Sequence, residues 1–190
     1  MANIDAPRGL WPISHPSGCL RKNVFGNYII DANTAGALAQ GDLVSAEAGG
    51  NIELAAADDG IIVVGVFWGC RYVDADGDIH YSTYIPATKT GFTLMQADVY
   101  DDPTIEFGIQ ADSGTALTVA SVFNTANHVA GTSDSTRKLS GHELDSSDVG
   151  TGAQLKILGL VDTPDNDWGE HVKLRVLINE HLHKAAVAGV

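Results

Sequence analysis

The run Ile61-Ile62-Val63-Val64-Gly65-Val66-Phe67-Trp68 leaves this chain few options. β-branched residues crowd it, which favours a pleated strand over a helix. It has no polar alternation, so both of its faces need cover. That places it in the centre of a sheet and not at an edge. Carried on to Cys70, it is about half the length a helix needs to cross a bilayer, and no membrane-spanning role is expected of it.

The rest of the chain reads as many short strands. It holds 21 glycines in 190 residues, and its acidic side chains are biased toward Asp. Both residue types favour turns over helices. Strands are predicted at Val24–Ile30, Gly41–Val44, Ile52–Leu54, Arg71–Val73, Ile79–Tyr84, Phe92–Val99, Thr104–Gln110, Leu117–Phe123, Gln154–Val161 and His171–Ile178. Asp76-Gly77 between two such runs is a hairpin signal. In the strand that starts at Thr104, Ile105, Phe107 and Ile109 alternate with Glu106, Gly108 and Gln110, which predicts one dry face and one wet face. In the last strand Val172, Leu174, Val176 and Ile178 share a face. Residues 124–153 are polar and read as a long loop or a stretch with minor strands.

The expected fold is therefore all-β, with a compact β-barrel or β-sandwich body at residues 24–178. Two small fused β modules, joined near residues 86–91, are the alternative organisation. Residues 1–23 read as an extended N-terminal arm, because Pro7, Pro12 and Pro16 forbid a regular helix and interior sheet pairing. The arm either packs back on its own body or lies across a neighbouring subunit. Residues 179–190 form a short C-terminal tail. A chain of this length buries roughly 70% of its unfolded surface, so no disulfide or metal is required for folding.

The charge excludes some partners. With 24 Asp and Glu against 11 Lys and Arg, the net charge is −13, which repels phosphate and argues against direct nucleic-acid binding. Residues 1–19 hold no continuous apolar leader, so synthesis in a reducing cytoplasm is expected. Cys19 and Cys70, the only thiols, are then expected to be buried or inert.

Catalytic signatures are missing. No Gly-x-Ser-x-Gly, Cys-x-x-Cys or phosphate-binding Gly-rich loop occurs, and Asp101-Asp102-Pro103 reads as a turn. Asp74, Asp76 and Asp78 invite a calcium reading, but the EF-hand spacing fails at Ile79 and Ile85, and a hairpin tip is preferred. His171, His181 and His183 could serve a metal-dependent small β-barrel enzyme; polar surface or interface histidines are the preferred reading. His15, His80, His128 and His142 sit in no matching motif. No cofactor, no metal and no enzymatic activity are expected.

Three stretches carry a resemblance. Ala37-Leu38-Ala39-Gln40-Gly41-Asp42-Leu43-Val44, with Ile52-Glu53-Leu54-Ala55-Ala56 and Ile62-Val63-Val64-Gly65-Val66, resembles the small β-barrel of tailed-bacteriophage capsid decoration (cement) proteins. The opening Met1 to Ile13 is similar to the start of many phage virion proteins. The closing segments Leu155–Leu160 and Val176–His181 fit the same group. The resemblance implies a virion structural protein on the capsid exterior. It would bind the outer surface of an icosahedral head and stabilise contacts between major capsid protein subunits, as a homotrimer at local symmetry axes. Such a clamp works by added contact area, multiplied by cyclic symmetry. Leu10, Trp11 and Ile13 are expected to be its apolar anchors, with Arg8, Arg21 and Lys22 pairing with acidic capsid surface. Deleting residues 1–22 is then expected to abolish head binding and leave the fold intact. The alternative is a tail or fibre component binding a host glycan in a groove lined by Trp68, Tyr72, Tyr81 and Tyr84.

Overall fold

A computed structural model of the chain describes residues 3–20, 28–33 and 36–184. In chain order its strands are β1 (Trp11–Ser14), β2 (Tyr28–Ile29), β3 (Leu38–Ala39), β4 (Leu43–Ala46), β5 (Ile52–Leu54), β6 (Val63–Val73), β7 (Ile79–Ser82) and β8 (Tyr84–Ile85). The second half adds β9 (Thr93–Tyr100), β10 (Glu106–Gln110), β11 (Thr125–Ala126), β12 (His128–Val129), β13 (Glu143–Leu144), β14 (Leu155–Leu160) and β15 (Lys173–Ile178). One 3-10 turn, Val119–Ser121, is the sole helical piece among the described residues. The protein is all-β.

Two antiparallel sheets organise it. A five-stranded sheet runs β1-β10-β15-β14-β11, and a six-stranded sheet runs β2-β9-β6-β4-β5 with β7 added to the far half of β6. Small ribbons, β3-β8 and β12-β13, cover their margins. Among the described residues no sheet closes on itself, so the body is a stack of open sheets.

The apolar pattern explains the layering. Phe107, Ile109, Leu155, Ile157, Leu174, Val176 and Ile178 from the five-stranded sheet meet Leu43, Val63, Val66 and Tyr100 from the six-stranded sheet in one core. Val44, Val64, Phe67, Cys70, Met95, Ala97 and Val99 point the other way, into a second core closed by Ile30, Leu38, Ile52 and Ile85. β6 feeds both cores, which is why its first half has no polar face. The central placement expected for Ile61–Trp68 holds from Val63 on, with β4 and β9 flanking β6, while Ile61 and Ile62 precede the strand. The strand extends beyond that run to Val73, where the Asp74–Asp78 turn carries the chain into β7. Asp74 Oδ1 accepts the Asp76 and Asp78 N–H groups at 3.0 and 2.9 Å, and its Oδ2 pairs with His80 Nε2 at 2.7 Å. Asp74 therefore closes a hairpin tip.

Three expectations change. The segment Leu117–Phe123 is not a strand: Thr118 caps the 3-10 turn, and Phe123 takes a left-handed backbone at φ 71°. The wet face of β10 is covered, because the Trp11 ring lies over Gly108, where a side chain would collide with the indole, and Gln110 is buried. Residues 86–91 join no separate modules, since β9 pairs with β6 across them and both cores draw residues from either side. Of the two placements expected for the arm, residues 10–14 take the first and pack back on the body. β1 pairs antiparallel with β10, Leu10 donates its N–H to the Gly41 carbonyl at 2.8 Å, and Leu10 is 1% exposed. Pro12 is tolerated because β1 is an edge strand. Part of the predicted first strand, and Arg21 and Lys22, lie outside the described residues.

This placement has a measurable consequence. Leu10→Ala should lower unfolding free energy by about 2–5 kcal/mol, whereas Ile4→Ala, at a side chain 75% exposed, should change it by less than about 0.5 kcal/mol. Urea denaturation checks both, and equal midpoints would mean that the segment is an appendage. A deletion of residues 1–22 strips β1 and part of the core, so any loss of binding it causes would report on folding.

Candidate functional site

Past Gly69 the six-stranded sheet outgrows the sheet it packs against, and one of its faces opens to solvent. Strand register decides what stands there. Arg71 of β6 faces Tyr81 of β7 on one side and Gln96 of β9 on the other, and Gln96 faces Ile29 of β2. A row Tyr81–Arg71–Gln96–Ile29 thus crosses four strands. Tyr81 is 78% and Ile29 55% exposed, and Ile79, two residues before Tyr81 on the same face, is 63% exposed. Leu94, held outward by a left-handed backbone at φ 51°, is exposed at the same end of the sheet.

A polar centre breaks this apolar surface. Arg71 donates from a guanidinium NH2 to Gln96 Oε1 at 2.8 Å, and Arg71, Gln96, Tyr81, Cys70 and Asp98 line a hollow of about 350 Å³. A shallower neighbour of about 440 Å³ continues it past Trp68, Ser82 and Thr83 to Lys138. Lys138 Nζ donates to Ser82 Oγ at 3.3 Å. The hollow has no activated nucleophile in Cys70: burial first, and then Asp98, push its thiol up to about 12. The arrangement suits recognition, with flat apolar and aromatic side chains around a fork of donors.

Of the four aromatics expected to line a groove, Trp68 and Tyr81 do share one. Tyr72 instead stacks between Phe92 and His80, with ring centroids 4.7 and 5.1 Å away, and Tyr84 sits half-buried in β8. The expected anchors are placed differently. Leu10 is core, Trp11 and Ile13 are half-buried in β1, and the Arg8 guanidinium lies 3.9 Å from the Trp11 ring centroid. The row on the sheet face escaped sequence reasoning because Ile29, Arg71, Ile79, Tyr81 and Gln96 meet only through strand register. The signal within reach was the exposed-polar alternation of Ile79-His80-Tyr81-Ser82, where two large side chains share a face.

Two other polar groupings are structural. His15 Nδ1 accepts the Ser17 N–H at 3.0 Å and lies 2.6 Å from Ser17 Oγ, while its Nε2 meets Asp102 Oδ2 at 3.0 Å. This serine–histidine–aspartate line closes a local turn and ties β1 to the turn before β10. Deeper, the His128 and His142 rings stack at 4.6 Å. His128 Nδ1 bonds Gln154 Oε1 at 2.7 Å, and His142 Nε2 stands 3.6 Å from Asp42 Oδ1. Burial holds both imidazoles down to about 4 and pushes Asp42 up to about 6. His181 is also buried, beyond the end of β15, with the His183 ring centroid 5.6 Å from its own. No helix among the described residues is long and apolar enough to cross a membrane. In comparisons with known proteins, no family model matches the chain, and neither does any curated protein or solved structure.

Proposed function

We propose that this chain is a virion structural protein that binds the outer surface of an icosahedral phage head, stabilises contacts between major capsid protein subunits, and docks through the open face of its six-stranded sheet. One observation carries the docking surface: Tyr81, Ile79 and Ile29 stand exposed around Arg71 on one rigid face. Single exposed apolar residues are ordinary, but several gathered on one face mark an interaction site. Aromatic and Arg side chains are also the groups that dominate binding energy at interfaces. The resemblance of Ala37–Val44 and Ile62–Val66 to phage decoration proteins supplies the partner, and the homotrimer belongs to the same proposal. Against the earlier set of anchors, the sheet face has the advantage of being outside the core.

The groove through Trp68 and Tyr81 favours a second reading, a tail or fibre component that grips a host glycan with aromatic faces and the side chains of Arg71, Gln96 and Asp98.

The test takes a major capsid protein from the neighbouring reading frames, where one is encoded there, and uses heads assembled from it. The double variant Ile29→Ser, Tyr81→Ser should weaken head binding at least about tenfold with an unchanged unfolding midpoint, because both side chains are exposed. Full occupancy by the double variant would sink the docking surface. A gene neighbourhood without a capsid protein, together with Tyr81-dependent signals on a glycan array, would transfer the groove to the second reading.

A further inference from the structure

The N-terminal segment meets the body a second time, away from the sheet face. Asn3 fixes the approach: its Nδ2 donates to the Asp167 and Glu170 carbonyls at 2.8 Å each, and its Oδ1 accepts the Asp167 N–H at 3.1 Å. Three residues on, the Ala6 N–H donates to the side-chain oxygen of buried Gln110 at 3.2 Å. Asp5, held between these clamps, is brought to His171. Its Oδ1 lies 3.7 Å from His171 Nδ1, and the Gln110 Nε2 stands 3.4 and 3.3 Å from those two atoms. A bridge between Ala111 and Leu144 then delivers Glu143 from β13.

The result is one nitrogen and two carboxylate donors from three remote parts of the chain, all within 4.8 Å of one another. Around a single ion with bonds near 2.1 Å, neighbouring donors stand about 3–4 Å apart, so closure asks for side-chain torsion only. Asp5, 62% exposed at its side chain, has that freedom. A second feature is independent of this convergence. Glu143 Oε1 is shut off from solvent and meets no hydrogen-bond partner among the described residues. A carboxylate oxygen in that condition is costly unless a positive charge faces it.

We propose that Asp5, Glu143 and His171 form a divalent-cation site that fastens the N-terminal segment to the body. The imidazole donor selects a borderline ion such as Zn²⁺ or Ni²⁺ over Mg²⁺ or Ca²⁺. The ligands leave coordination positions open to solvent on the Asp5 side. The role is a fastening one: the ion cross-links residue 5 to residues 143 and 171, so the segment that leads into β1 is held at both ends. The site is separate from the sheet face, and either can fail without the other.

The experiment titrates the EDTA-treated full chain with Zn²⁺ and with Ni²⁺ by calorimetry, with Ca²⁺ in parallel, and follows amide exchange of residues 3–10. One equivalent of Zn²⁺ or Ni²⁺ should bind, and exchange in residues 3–10 should slow at least about tenfold. Asp5→Asn and Glu143→Gln should each weaken binding at least about tenfold and abolish that slowing. His171→Asn keeps a residue that tolerates the left-handed backbone found there (φ 52°) and should do the same. Because Asp5 is exposed, its variant folds normally and keeps the outcome readable. Absence of stoichiometric binding, binding that survives all three substitutions, or Ca²⁺ binding as tight as Zn²⁺ would each overturn the site.

Discussion

Gly65→Ala is expected to lower unfolding free energy by about 3 kcal/mol or more, enough to leave little soluble protein. The position lies in β6 between residues that feed opposite cores, opposite Val44 of β4 and beside the Val66–Tyr100 pair of β9. A Cβ there would run into the Tyr100 carbonyl oxygen and the Val99 side chain. The first obstacle is backbone held in the sheet, so it cannot rotate away as a side chain would. Relief requires β6 and β9 to separate, which opens both cores at once. Gly150→Ala is the matched control: nothing lies within 4 Å of the Cβ it would add, and its effect should stay within about 0.5 kcal/mol. Equal urea midpoints for the two variants would refute the close approach of β6 and β9.

The second large effect concerns acid. His128, His142 and His181 are held at about 4 in the folded chain, against about 6.5 when unfolded. A histidine whose folded value is depressed lets the unfolded chain take up protons first. Stability therefore falls as pH drops from about 6.5 through about 4. Asp42, pushed up to about 6, acts in the opposite sense: its protonation favours the folded chain as pH falls from about 6. Three histidines against one carboxyl leave a net loss on the order of a few kcal/mol between pH 7 and 4.5. The urea midpoint should fall across that range. His128→Gln, which keeps a polar partner for Gln154 but cannot charge, should lose less. A variant that falls as steeply as the parent would remove His128 from the account.

The strands that carry their own pattern were legible from the residues alone. β6 announced itself by β-branched density, β15 by the alternation Val172, Leu174, Val176 and Ile178, and the β6–β7 turn by Asp76-Gly77. Features made by distant partners were not. Whether Leu10 and Trp11 belong to the body depends on Gly41 and Gly108, which supply the acceptor and the space. Leu117–Phe123 has strand composition, yet the Thr118 cap and the left-handed Phe123 turn it aside. The sheet-face row and the Asp5–Glu143–His171 group are products of register and topology. Neither has a local spacing to detect.

The pairing of β1 with β10, and of β10 with β15, also bears on how the chain is made. On the ribosome the strand at residues 11–14 emerges first, but its sheet is incomplete until residues 173–178 follow. At about 5–20 residues per second, that interval is roughly ten to thirty seconds. Throughout it Leu10 and Trp11 have no finished surface to settle on, and Phe107 and Ile109 wait for the final strand. Pro7, Pro12 and Pro16 then have a protective use. They deny the early segment the continuous ladder of N–H donors that a wrong strand, or another nascent copy, would need to seize it.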